Sequence, residues 1–154
     1  MRRLLSEMTR SHFPPPPRPA TPAQIANFEA RMGWRMDPEL RAFYLHCDGG
    51  TLFVPRSEDP NYRILSLVEI ERARVSMRGQ DDDSMGAASW YTLVYCQDSD
   101  YVLIDVAAQQ GVHYPLLDAW HETYPLQVRQ IAASFSEFLE RALASGDHLF
   151  WLGG

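Results

Sequence analysis

Two runs rich in β-branched, aliphatic and aromatic residues, YTLVYCQ (91–97) and YVLIDVA (101–107), stand on either side of the tripeptide DSD. β-branched and aromatic residues favour a pleated, half-buried ribbon, and a short aspartate–serine turn between two such runs closes an antiparallel hairpin. No other stretch constrains the fold as much. A chain with a tight hairpin at this point is not all-helical, and strands joined by so short a turn cannot run parallel.

Helix signals surround the hairpin. In TPAQ, Thr21 is placed as an N-cap, Pro22 as the first helical residue and Gln24 as the closing member of a capping box. Ile25, Phe28 and Met32 recur at helical spacing before Gly33. Asp37-Pro38 opens a second helix with Leu40, Phe43 and Tyr44 on its buried side, and Gly49-Gly50 ends it. TLFV (51–54) and YRILSL (62–67) read as strands around the polar loop RSEDPN. Ser66-Leu67-Val68-Glu69 repeats the capping-box pattern and predicts a helix over 67–78 that stops at Gly79. GQDDDSMGAAS reads as a long loop, and a further strand is expected near GVHYPL. The last helix opens at Ser134, presents Phe135, Phe138, Leu139, Ala142 and Leu143 on one face, and ends at Gly146. The expected class is α+β, a mostly antiparallel sheet with helices packed on one face.

Residues 1–12 suggest a short helix, and the prolines of FPPPPRPATP then favour an extended polyproline segment. Residues 1–20 thus read as a proline-rich lead-in to a single domain over 21–154. The lead-in is either a stiff strap on the surface or a ligand for a proline-recognising groove.

Composition narrows the function. The 154 residues suit one core, and no apolar run approaches the ~18 residues of a membrane span. MRRLLSEMTR lacks the apolar centre of ~7–15 residues found in a secretory signal. Cys47 and Cys96 are far apart, so reduced thiols and a cytoplasmic location are expected. A net charge of −6 disfavours nucleic acid and suits a basic protein partner. All 14 cationic residues are arginine, which leaves no lysine for Schiff-base or phosphate-loop chemistry.

Residues 40–50, LRAFYLHCDGG, hold the one adjacent histidine–cysteine pair. Neighbours on a helix point about 100° apart, so His46 and Cys47 do not converge as a base and a nucleophile. Cys47 reads as a small buried hydrophobe, and Asp48 with two glycines as a helix end. His121-Glu122 begins like a metalloprotease helix but meets Pro125 where the second histidine belongs, and His113 reads as alone in a strand. No catalytic residue, metal ligand or cofactor is expected.

Acidic and aromatic residues are the candidates for partner binding. Asp81, Asp82 and Asp83 form either a solvated loop or an anionic tip that docks on a basic active site. Trp90 and Tyr91 follow directly; one belongs to the core and the other could anchor a partner. Asp98 and Asp100 serve turn chemistry or contact, and Glu58 and Asp59 form a third acidic loop. Residues 80–91 combine charge and ring and are favoured. Trp120 is a weaker candidate, as is Trp151 in the apolar tail HLFWLGG, which folds back on the core or packs on another copy.

The ordered segments TPAQIANFEARMGW, MDPELRAFYLHCDGG, ILSLVEIERAR, YVLIDV, GVHYPL and IAASFSEFLERAL cover about residues 20–145. Together they resemble the SUKH superfamily, which includes fungal Smi/Knr cell-wall regulators and many bacterial immunity proteins. Met36-Asp37-Pro38 and Asp48-Gly49-Gly50 stand where members often carry Leu-Pro and Asn-Gly-Gly, changes that conserve capping. The resemblance implies a non-enzymatic immunity protein, monomeric or weakly dimeric. It would neutralise a cognate toxin of a contact-dependent or type VI secretion system by covering its active site. The alternative it implies is a regulatory or scaffold module that binds a host protein. No nucleic acid or membrane partner is expected.

Overall fold

The computed structural model describes residues 1–11, 17–53, 62–97 and 99–152. Glu58, Asp59, Asp98 and most of the proline run therefore lie outside the described residues.

The helix starts form as their capping chemistry dictates. The Thr21 hydroxyl accepts from the Gln24 N–H at 3.1 Å while the Gln24 side chain accepts from the Thr21 N–H at 2.9 Å. This box opens α2 (Pro22–Met32), which follows α1 (Arg2–Ser11) and ends at Gly33 in the left-handed region. Asp37 Oδ1 accepts from the Leu40 N–H at 2.8 Å and starts α3 (Pro38–His46). Ser134 caps α5 (Phe135–Ala144) in the same way.

Six strands form one antiparallel sheet in chain order: β1 (Gly50–Thr51), β2 (Arg63–Ile64), β3 (Trp90–Cys96), β4 (Asp100–Asp105), β5 (Leu116–Ala119) and β6 (Val128–Ala132). β3 and β4 are the expected hairpin, with Cys96 opposite Asp100 and Trp90 opposite Asp105. The molecule is α+β.

Four local expectations change. Half of the capping box at Ser66 forms: its N–H and hydroxyl both donate to Glu69 Oε1 at about 3 Å, while the Glu69 N–H donates to the Ser66 carbonyl, and only one turn follows. Ile70 enters the core, and Glu71 and Thr92 exchange hydrogen bonds that hold the chain extended beside β3. Tertiary pairing thus delays the helix until α4 (Ala73–Arg78). The two first strands are shorter than expected. The strand near GVHYPL starts later, at Leu116, because Gln110 and His113 close a tight turn through paired backbone bonds. His113 therefore stands in a loop. β6 was not anticipated; Val128-Arg129-Gln130 carries too little apolar alternation to read as a strand.

Alternation along β4 separates two layers. Val102 and Ile104 face the main core with Ile25, Phe28, Leu40, Phe43, Phe135 and Phe138 from the helices. Leu103 faces the other way, into a small cluster with Leu117, Ala119, Ala73 of α4 and Tyr124. The C-terminal tail folds back on the main core. The Trp151 ring lies 6.0 Å from Tyr62 and 6.2 Å from Phe138, and the Tyr62 hydroxyl donates to the His148 carbonyl. Among the described residues no helix is long and apolar enough to cross a membrane.

The Asp48-Gly49-Gly50 corner joins the helices to the sheet. Asp48 Oδ1 accepts from the Leu67 N–H at 2.9 Å, and Gly49, with φ of 89°, passes directly against the backbone of 64–66.

Candidate protein-interaction site

The thiols are built for packing. Cys47 is fully buried, and burial, with the Asp48 charge adding to it, pushes its thiol up to about 12. Burial also pushes the Cys96 thiol well above its ordinary value. Both are held as thiols, and the thiolate is the reactive form. His121 is engaged elsewhere: its Nδ1 lies 2.7 Å from Asp100 Oδ1, which also accepts its backbone N–H at 2.9 Å.

The three consecutive aspartates are organised by two arginines. Asp81 lies 2.7 Å from Arg74 Nε and 3.1 Å from Arg72 Nη1, and Asp83 lies 2.7 Å from Arg74 Nη1. Arg74 has a buried side chain and also donates to the Gly86 carbonyl. Its guanidinium, the first cause, holds the Asp81 carboxyl below its usual range. Asp82 caps a short 3-10 turn over 83–85 by accepting from the Ser84 N–H. Two of the three charges are thus spent on pinning the loop to α4. Trp90 is half-buried, with its indole N–H directed to Asp105 at 3.3 Å, and Tyr91 is the member of that pair that joins the core.

The hairpin register divides the expected residues between two places. Asp81–Asp83 and Trp90 gather where Trp90 meets Asp105, while Asp100 sits at the Cys96 end. At about 3.3 Å per residue the ends are roughly 20 Å apart. Val102 of β4 lies opposite Asp118 of β5, so Asp118 shares a sheet face with Val102 and with Asp100. Here a recess of about 280 Å³ opens between Asp100, Asp118, Trp120, Leu149, Trp151 and Leu152.

Its electrostatics are unusual for a surface. The Asp118 side chain is only 17% exposed, and its nearest cation, Arg129 Nε, is 3.9 Å away. Desolvation raises its carboxyl above the usual range, partly offset by Arg129 and by a hydrogen bond from the Trp151 side chain; Asp100 raises it further. Trp120 is 44% exposed beside it. Two carboxylates set among indole and leucine walls match a cation on an apolar stem. The carboxylates would accept its hydrogen bonds, the rings would attract its charge, and the leucines would cover its methylenes.

Of the expected candidates among the described residues, Asp100, Trp120 and Trp151 reach this recess. Asp118 was not foreseen. Asp118 and Trp120 have the i, i+2 spacing of one strand face, a signal that becomes readable once β5 is placed over 116–119. Trp151 joins them only through the fold of the tail.

The sequence profile described as the SMI1 / KNR4 family (SUKH-1) matches residues 19–141, which include all six strands, α2, α3 and α4. The tail that closes the recess lies beyond the match. No curated protein matches the chain.

Proposed function

Because the chain belongs to the SMI1 / KNR4 family (SUKH-1), we propose that it is an immunity protein that binds a cognate bacterial toxin and covers its active site without turnover. The toxin would be an effector of a contact-dependent or type VI secretion system. The Asp100–Asp118–Trp120–Trp151 recess carries the reading: it suits an arginine or lysine of a basic partner, an anchor of the kind that dominates interface energetics. The charge of −6 supports electrostatic steering, so association should slow as salt is added. The recess joins its carboxylates to indole and leucine walls within one cavity, which favours it over the 80–91 tip as the centre of the interface.

The test is co-expression with the product of the neighbouring gene. A stoichiometric complex and rescue of growth are expected. Failure both to bind and to protect overturns the immunity role and leaves the regulatory module, whose partner would be sought in the host.

Asp118 supplies an independent check. Its folded carboxyl titrates above the ordinary value, so between those two values the folded chain holds more protons than the unfolded one. Stability therefore falls as pH rises through that window, and at neutral pH the charge is a cost to folding. Asp118→Asn is expected to raise the melting temperature at pH 7 by roughly 1–3 °C, with the gain fading below the ordinary carboxylate range. The same variant should bind the toxin more weakly. A gain in stability with a loss of binding marks a residue kept for its contact. A variant that melts lower at pH 7 would show that Asp118 serves the fold.

A further inference from the structure

Among the described residues, six buried side-chain nitrogen or oxygen atoms lack a hydrogen-bond partner. Three of them converge at one place: Asp37 Oδ2, Glu39 Oε1 and His113 Nδ1. All three atoms lie within 4.8 Å of one another, and Glu39 Oε1 is 3.1 Å from His113 Nδ1. The Glu39–His113 approach is of ion-pair length, while Asp37 Oδ2, buried beside it, has no partner of its own; buried polar atoms are nearly always paired, so this oxygen needs an explanation.

The second oxygen of each carboxylate is already committed, which leaves Asp37 Oδ2 and Glu39 Oε1 turned toward His113. Asp37 is 4% exposed; its Oδ1 caps α3, and its carboxyl also takes a backbone bond from Tyr114. Glu39 Oε2 accepts from the Ser136 hydroxyl of α5. His113 is held in its loop by its paired backbone bonds with Gln110. Two carboxylates brought to one buried point repel each other. A divalent cation would meet both needs at once, satisfying the lone pairs and cancelling the charge.

We propose that Asp37, Glu39 and His113 form a zinc site, with three protein ligands and a fourth position open to water. One imidazole with two carboxylates is a donor set for a borderline cation, whereas magnesium and calcium take oxygen ligands alone. Zinc bonds of about 2.0–2.2 Å in a tetrahedron space the ligand atoms about 3.3–3.5 Å apart. The Glu39–His113 pair, at 3.1 Å, is already close to that spacing, and Asp37 Oδ2 lies within 4.8 Å of both. His113, 37% exposed, provides the route by which ion and water arrive. The metal would tie the first turn of α3 to the loop before β5 and, through Ser136, to α5.

The full chain, stripped by a chelator and titrated with zinc chloride near pH 7, is expected to bind one Zn2+ and to melt higher when loaded. His113→Ala removes the nitrogen ligand from a loop, and Asp37→Asn keeps a capping oxygen while removing a charged ligand. Each should fold by circular dichroism and lose more zinc affinity than the roughly 10–100-fold that an outer-shell partner costs. His121→Ala controls for the histidine beside Asp100 and should leave zinc binding unchanged. Absence of binding and of a melting shift in the parent chain overturns the site. So does zinc affinity that survives intact in His113→Ala, the variant least able to disturb the fold.

Discussion

Replacing Gly49 with alanine is expected to unfold most of the population under conditions where the parent chain is native. A Cβ on Gly49 would lie 2.6 Å from the Ile64 carbonyl oxygen and 2.9 Å from both Leu65 C and Ser66 N. All three are backbone atoms, so no side-chain rotation relieves the contact. The segment that would have to retreat is tied down: Leu65 N donates to the Leu93 carbonyl, and Leu67 N to Asp48. The residue also sits at φ of 89°, a left-handed value that adds strain for any L side chain. Together these predict a loss of about 4 kcal/mol or more, a large share of the roughly 5–15 kcal/mol that holds a domain folded. Gly33→Ala separates the two causes. Gly33 has φ of 81°, but a Cβ there meets nothing within 4 Å, so it should lose only about 1–2 kcal/mol. Urea midpoints of the two variants give the comparison; equal losses would mean that the corner yields and that backbone contact is not what fixes it.

Trp120→Ala is expected to weaken toxin binding by about 2–4 kcal/mol, roughly 30- to 700-fold in Kd, mostly through faster dissociation. The ring is 44% exposed and meets His121 edge-on at 6.4 Å, so its loss should shift stability by no more than about 0.5 kcal/mol. Trp90→Ala is the matched control. Trp90 packs edge-on against Tyr124 at the far end of the hairpin, so its removal should lower stability and spare affinity. Surface plasmon resonance on both variants decides between the two ends. Intact binding by Trp120→Ala with lost binding by Trp90→Ala would move the interface to the 80–91 tip.

The sequence carried the parts of the fold that are fixed locally. Thr21 with Gln24, Asp37 before Pro38, and Ser134 with Glu137 are short-range signals, and each caps the helix it announced. The DSD hairpin is equally local. Ser66–Glu69 shows where this reasoning stops. The Glu69 side chain reaches back to the Ser66 N–H, yet the chain beyond is claimed by Thr92 of a strand that lies 21 residues downstream of Glu71. The site was harder to read because it is assembled from three separate places in the chain. Asp100 looked like turn chemistry, Asp118 lay beyond the strand as first placed, and Trp151 lay in a tail with two possible destinations. For Asp81 and Asp83, the cations that occupy them precede them by seven to nine residues across a helix, and spacing alone does not reveal such a pairing.

Strand order that follows chain order lets each new ribbon pair with the one made just before it. The pairing of α1 with α5 is different. Arg3 and Glu140 approach to 3.8 Å, α1 packs on α5, and Leu4 is buried in the main core. Roughly 120 residues are polymerised between these helices, which at about 5–20 residues per second is on the order of ten seconds. On the ribosome, therefore, the nascent sheet can zip shut while α1 stays adhesive and unmatched, and a holdase chaperone would find its foothold there.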